Sequence, residues 1–187
     1  MKPNGLIFPD KASLYITAIE DGDYKNEKIN FWDSVYGFDM SVMKNISIVE
    51  PLVDIVEKEA IISNVVSILD IDILTCTKED LDFNANFNLT FERDDYCHAL
   101  VAYFECQFSQ IHKPIKFSTG PHAHPTHWKQ TVFYMGDELV VKKGETIEGN
   151  ISCVKNNKNC RDLDINISYN FDGLSSSACR EQIYKLR

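Results

Sequence analysis

The sequence predicts a mainly β protein, an antiparallel barrel or sandwich interrupted near its start by a short helical segment, and three observations predict it. In "RDLDINISYNFDG" the apolar Leu163, Ile165, Ile167, Tyr169 and Phe171 alternate without a break with Asp162, Asp164, Asn166, Ser168 and Asn170. Side chains two apart share one face of a strand, so this segment has a dry face and a wet one. The same period runs through Leu100, Ala102, Phe104, Cys106 and Phe108, and again through Phe87, Leu89 and Phe91. Helical spacing, in contrast, disappears after Ile46. Many short strands parted by turn residues close or double their sheet, because an open sheet leaves its edge unpaired.

Taken in order, "SLYITAIED" at residues 13–21 reads as a first strand leaving a turn at Pro9 and Asp10. Residues 23–43 change character: Phe31, Trp32, Val35 and Tyr36 fall at helical spacings, Gly37 breaks the run, and Phe38 and Met40 follow. That is a short amphipathic helix and a turn, whose large apolar side chains must be covered by the barrel or by another protein. Beyond it about eight or nine strands are expected. Ile147, Gly149, Ile151 and Cys153 share a face, so residues 145–153 should pair with 162–171 across the Asn/Lys-rich turn between them. The closing "SSACREQIYKLR" reads as a frayed or docked tail.

A chain of 187 residues buries enough core to stand as one domain without disulfides or metal. Its formal charge of −9 disfavours nucleic acid and favours cationic partners, and it has no apolar run of the ~18 residues a membrane helix needs. The six cysteines are scattered with no CxxC pair, which suits reduced thiols, and "MKPNGLIFPD" lacks the apolar core of a secretory signal. The Asn-x-Ser/Thr matches at Asn45, Asn88, Asn150 and Asn166 are therefore expected to be chance. With only eight glycines, none in a G-x-G, no glycine-rich nucleotide loop is expected from this chain.

The one concentration of chemistry-bearing residues is "GPHAHPTHWKQTVFY", where His122, His124 and His127 lie within six positions. Three imidazoles so spaced can ligate zinc, can serve a catalytic loop, or can do neither; Pro121 and Pro125 make the segment a turn in which they need not converge. No G-x-S-x-G elbow and no adjacent Cys/His arrangement offers a nucleophile.

"GLIFPDKASLYITAIEDGDYKNEKINFWDSVYGFDMS", "EPLVD", "HALVAYFECQF", "THWKQTVFYM" and "KNCRDLDINISY" resemble, in this order, the C-terminal region of the type I protein arginine methyltransferases. The resemblance implies an antiparallel β-barrel formed by residues 1–20 and 47–187, with an inserted helical dimerisation arm at residues 21–46. In that family a Rossmann-like domain binds S-adenosylmethionine upstream of "GLIFPD"; that domain is expected to be absent from this chain, which alone should bind no donor and be inactive. The complete enzyme would methylate arginine guanidinium groups of histone tails and arginine/glycine-rich proteins, as a homodimer in nucleus and cytoplasm, without binding nucleic acid or membrane. By the same resemblance His127 is the catalytic histidine, Thr126 and Trp128 bind substrate, and Phe31, Trp32, Tyr36, Phe38 and Met40 form the apolar face of the arm. His122 and His124 have no counterpart in the pattern, and Pro125 stands where the family commonly has tyrosine. Two other readings are a non-catalytic dimerisation or interaction module and a small barrel that binds metal through His122, His124 and His127.

Overall fold

The computed structural model describes residues 5–187, so the first four positions of the 1–20 segment lie outside the described residues. Ten strands run along the described chain: β1 (Lys11–Ile19), β2 (Leu52–Asp54), β3 (Val66–Asp72), β4 (Phe83–Thr90), β5 (Asp95–Phe108), β6 (Ile115–Ser118), β7 (Gln130–Val141), β8 (Thr146–Lys155), β9 (Leu163–Asp172) and β10 (Ser177–Leu186). Two short helices, α1 (Gly22–Lys28) and α2 (Lys44–Ser47), stand between β1 and β2. All pairings are antiparallel. One sheet has the order β2-β7-β5-β1-β3 with β6 also on β5, and the other has the order β10-β9-β8-β4.

The two sheets face one another across the main core, which holds Ile16, Phe87, Leu89, Phe91, Leu100, Phe133, Ile147, Ile167, Phe171 and Tyr184. The expected hairpin is present: Ile147 pairs with Phe171, Ile151 with Ile167 and Cys153 with Ile165, and the alternating apolar residues of β9 all face inward.

The sheets are joined along both seams, by different means. On one side residues 62–64, leading into β3, meet the end of β4 through backbone bonds, Asn64 N–H to the Thr90 carbonyl (3.1 Å) and Glu92 N–H to the Ile62 carbonyl (2.8 Å). On the other side no ladder connects β7 to β10, and side chains make the seam. The Tyr184 hydroxyl (2.8 Å) and Gln182 Nε2 (3.0 Å) both donate to the Tyr134 carbonyl, and Gly136 N–H donates to Gln182 Oε1 (3.0 Å). Arg180 grips Asp137 with two guanidinium bonds of 2.6 Å each. This satisfies groups that an open edge would leave to solvent.

The chain terminus is therefore not a frayed tail. Residues 177–186 pair with β9 along their whole length, from Ser177 against Asp172 to Leu186 against Leu163.

A second apolar cluster lies on the outer face of the first sheet, where Ile19, Ala99, Val101, Val132 and Tyr134 pack against Tyr24, Ile29 and Ile48 of the segment between β1 and β2. It changes the expected pattern of β5, in which only one face was to be dry. Residues 97–101 are buried on both faces, and further along the strand Tyr103 and Glu105 are buried while Phe104, Cys106 and Phe108 are only half-buried.

The segment itself differs from a single amphipathic helix. The α-helix ends at Lys28, before the aromatic residues, and Phe31 and Trp32 lie on a 3₁₀ turn spanning Asn30–Asp33. Val35 and Phe38 then exchange two backbone bonds of 2.9 and 3.0 Å around Tyr36 and Gly37, whose φ values of 52° and 87° form a tight reversal that no helix can contain. Short 3₁₀ and hairpin pieces thus take the place of the longer helix that the aromatic spacing predicts. They leave Tyr36 98% and Phe38 73% exposed, with Phe31 and Met40 also exposed and Trp32 half-buried.

Candidate functional site

The histidine-bearing loop is a strap between β6 and β7, tied at both ends by one buried side chain. Gln130, at the start of β7, donates through Nε2 to the Thr119 carbonyl (2.5 Å), and its Oε1 accepts the Val56 N–H (2.7 Å). Thr119 is itself held to β5, its hydroxyl lying 3.0 Å from both Phe104 N and Phe104 O. Within the strap, Thr126 to Lys129 form a turn closed by Lys129 N–H on the Thr126 carbonyl (3.1 Å). Lys129 has φ 56°, a left-handed conformation that costs a non-glycine residue about 1 kcal/mol. Its ammonium group holds Asp54 of β2 at 2.7 Å, and that bond keeps the Asp54 carboxyl below the usual carboxylate range.

The turn presents an aromatic platform. The Trp128 indole is stacked on Phe117 (5.8 Å between centroids, 20° between planes) and met edge-on by Phe104 (5.7 Å), yet it remains 50% exposed. The His127 imidazole lies against the indole at 3.9 Å and is exposed. The Thr126 hydroxyl is buried without a hydrogen-bond partner among the described residues. The three residues singled out in the sequence thus form one continuous surface.

The other two histidines point elsewhere. His122 lies edge-on to Tyr103 (5.7 Å) with Nε2 3.7 Å from Glu105, and His124 Nδ1 donates to the Pro125 carbonyl (3.1 Å). Among the described residues there is no group of three or more His, Cys, Asp or Glu side chains that could hold a metal ion. The described residues contain no metal cluster and six free thiols; burial pushes the Cys97 thiol up to about 12 and the Cys153 thiol up to about 11.

Three polar contacts that no motif announces tie the base of the arm to the barrel. The Tyr134 hydroxyl of β7 donates to Asp21 (2.6 Å), and burial with that carboxylate raises the phenol well above its ordinary range. His98, buried on β5, accepts the Asp21 N–H at Nδ1 (3.1 Å) between the carboxylates of Glu20 (3.6 Å) and Glu138 (3.5 Å). Lys25 of α1 is buried against the Asp137 carbonyl (3.2 Å), and its burial lowers its pKa. Buried polar residues beside an exposed apolar arm were the available signal, but burial cannot be read from a polar residue alone.

Fold and site together define a class: a β-barrel that projects an apolar arm on one side and an indole–imidazole turn on another, suited to joining other protein surfaces. Residues 10–175 match the arginine methyltransferase oligomerization subdomain, and the chain belongs to that family. It is 51% identical over 185 residues to protein arginine N-methyltransferase 1 of Chlamydomonas reinhardtii, covering 99% of this chain and 54% of the relative. It is 54% identical over 172 residues to the protein of that name from Schizosaccharomyces pombe, covering 92% of this chain and 51% of the relative. The solved Trypanosoma brucei PRMT1 enzyme-prozyme heterotetrameric complex with AdoHcy superposes with a TM-score of 0.93 at 38% identity, over 96% of this chain and 57% of that one. Arabidopsis thaliana protein arginine methyltransferase 10 shares the fold, with a TM-score of 0.83 at 19% identity, over 100% of this chain and 62% of that one. The chain spans about half the length of the curated relatives it matches.

Proposed function

We propose that this chain is the barrel-and-arm part of a protein arginine methyltransferase that transfers methyl from S-adenosylmethionine to guanidinium groups of arginine-rich proteins such as histone tails. The observation that carries the reading is the half-exposed Trp128, held rigid by Phe104 and Phe117 with His127 packed on it, in a chain of this family. A guanidinium stacks on an indole face with about 0.5–2 kcal/mol of attraction, more as water is excluded. His127 packs its imidazole against that indole, which puts a ring nitrogen able to donate or accept a hydrogen bond beside the platform. Thr126 sets the turn, and the net charge of −9 favours a cationic substrate.

Among the described residues no glycine-rich turn joins a parallel strand to a helix, and no step through the methyl donor is assigned to residues of this chain. The test is labelled methyl transfer to an arginine/glycine-rich peptide by the whole enzyme that contains this chain. Trp128→Ala is expected to raise KM about tenfold with an unchanged melting temperature, and His127→Ala to lower kcat about a hundredfold. Wild-type rates in both variants would overturn the assignment.

The exposed arm supports a second part of the reading: Phe31, Trp32, Tyr36, Phe38 and Met40 make the contact of a homodimer. Sedimentation of the whole enzyme should shift from dimer to monomer on Phe38→Asp, and a Phe38→Asp dimer of wild-type affinity would refute the role. As a non-catalytic module the isolated chain would self-associate through the same face.

A further inference from the structure

Beside the Trp128 platform lies a cleft of about 590 Å³ whose polar groups are not accounted for by the turn itself. At its edge stands Glu105, a carboxylate only 6% exposed on β5. An ionised group so deeply placed is costly unless it is paired on all sides. Its Oε2 receives Lys116 at 3.1 Å, but its Oε1 has only His122 Nε2 at 3.7 Å, beyond hydrogen-bond reach. Thr126 lines the same cleft, with its hydroxyl oxygen buried beneath the surface and unpartnered among the described residues. Phe117 lines the cleft and also carries the stacked Trp128 indole, so cleft and platform share one side chain.

We propose that Glu105 forms a subsite for a second cationic side chain of the substrate peptide, a lysine or arginine a few residues from the arginine held on Trp128. The site is built for a donor. Glu105 Oε1 has no donor within hydrogen-bond distance among the described residues, Phe117 and Pro125 give an apolar wall for an alkyl stem, and the group to be bound carries the charge that Glu105 lacks on its Oε1 side. Lys116, 64% exposed, is an internal counterion that an incoming cation must displace or share. His122 and Glu105 then have a common explanation: both line the cleft, and the imidazole stands 3.7 Å from Oε1 without bonding it.

This subsite rests on the reading of Trp128 as the arginine platform, and the test separates the two. The full chain is titrated by calorimetry with a glycine-rich peptide carrying one arginine, and with the same peptide carrying a lysine three residues away, unmodified or acetylated. The unmodified lysine peptide should bind about tenfold more tightly than the acetylated one. Glu105→Gln, which keeps shape and removes charge, should abolish that preference. Lys116→Ala should enlarge it, because it removes the competing cation. A merely structural Glu105–Lys116 ion pair predicts no such increase, and the second variant serves if the first fails to fold.

A preference untouched by Glu105→Gln, or one reduced by Lys116→Ala, overturns the subsite, as does the absence of any lysine preference. Spermidine displacing the lysine peptide as well as an equal concentration of that peptide would also overturn it, in favour of a small-cation site. Trp128→Ala with the arginine-only peptide tests the platform separately, so its failure and that of the subsite are distinguishable.

Discussion

Tyr184 gives the sharpest test of how the barrel is closed. It stands three residues before Arg187, is 1% exposed, meets Phe133 edge-on at 5.1 Å, and donates its hydroxyl to the Tyr134 carbonyl at 2.8 Å. A buried tyrosine removes some 150–200 Å² from water, worth about 4–5 kcal/mol at roughly 25 cal/mol per Å². Truncating an aromatic side chain in a core costs about 3–5 kcal/mol once partial collapse of the cavity is allowed. Tyr184→Ala should therefore lower the unfolding free energy by about 4 kcal/mol. Tyr184→Phe keeps the ring and loses one hydrogen bond, and the Tyr134 carbonyl still has Gln182 Nε2 at 3.0 Å, so the loss should be only about 1 kcal/mol. Urea titration of the purified chain, followed by circular dichroism, measures both. If Tyr184→Ala lies within about 1 kcal/mol of wild type, the terminal strand is not integral to the core and the side-chain seam between β7 and β10 is refuted.

Gly149→Ala should be destabilising by about 1–3 kcal/mol in the same titration, because its new Cβ would stand 2.3 Å from the Phe87 ring and 2.6 Å from the Ser168 carbonyl oxygen, the second of which is backbone and cannot step aside. Stability should also fall in alkali. Burial raises the Cys97 thiol from 9.0 to about 12 and the Tyr103 phenol from 10.0 to about 12. Both are acids held neutral by the fold, so their contribution is complete below the unfolded values and is lost as pH rises through 9 and 10 towards about 12. A urea midpoint that does not move between pH 8 and about pH 11 would contradict this. Thiol labelling of the native chain should modify the exposed Cys160 and Cys179 rapidly and leave Cys97 untouched until urea unfolds it; equal rates would show that the core is open.

The strands most clearly written in the sequence are those whose two faces meet different surroundings. β9 alternates strictly because one face meets the opposing sheet and the other meets water, and its pairing with β8 follows from that pattern. β10 hid itself for a physical reason. Along "ACREQIYKL" the inward row is Ala178, Arg180, Gln182, Tyr184 and Leu186, and two of these are polar because they stand where the sheets join. Arg180 and Gln182 bond Asp137, Gly136 and Tyr134 across the seam, so the residues that close the barrel are the ones that erase the apolar period. Glu105 was illegible for the converse reason. A charged residue in the alternating row suggests a wet face, but the side chains of Lys116 on β6 and His122 on the histidine strap stand against it. The Thr126–His127–Trp128 turn was legible only as a motif; spacing alone left three histidines with three possible uses, and the structure gives each of them a different neighbour.

One strand carries the registration of everything that reaches beyond the barrel. β7 begins with Gln130, which ties the histidine strap to Thr119 and to the chain beyond β2. Four residues later Tyr134 faces both ways: its hydroxyl holds Asp21 at the root of the arm, and its carbonyl receives the two donors of β10. Tyr24 of α1 stacks on the Tyr134 ring at 5.9 Å with its plane 2° away, so the arm's first helix is seated on the strand by a ring face as well as by a hydrogen bond. β7 is itself paired with β5 over most of its length and cannot shift at one end alone without breaking that ladder. A strand held this way makes a rigid ruler rather than a hinge. The distance from the arm's root to the Trp128 platform is then set by the fold, and an apolar surface that docks the arm would find the Thr126–Trp128 turn already in place.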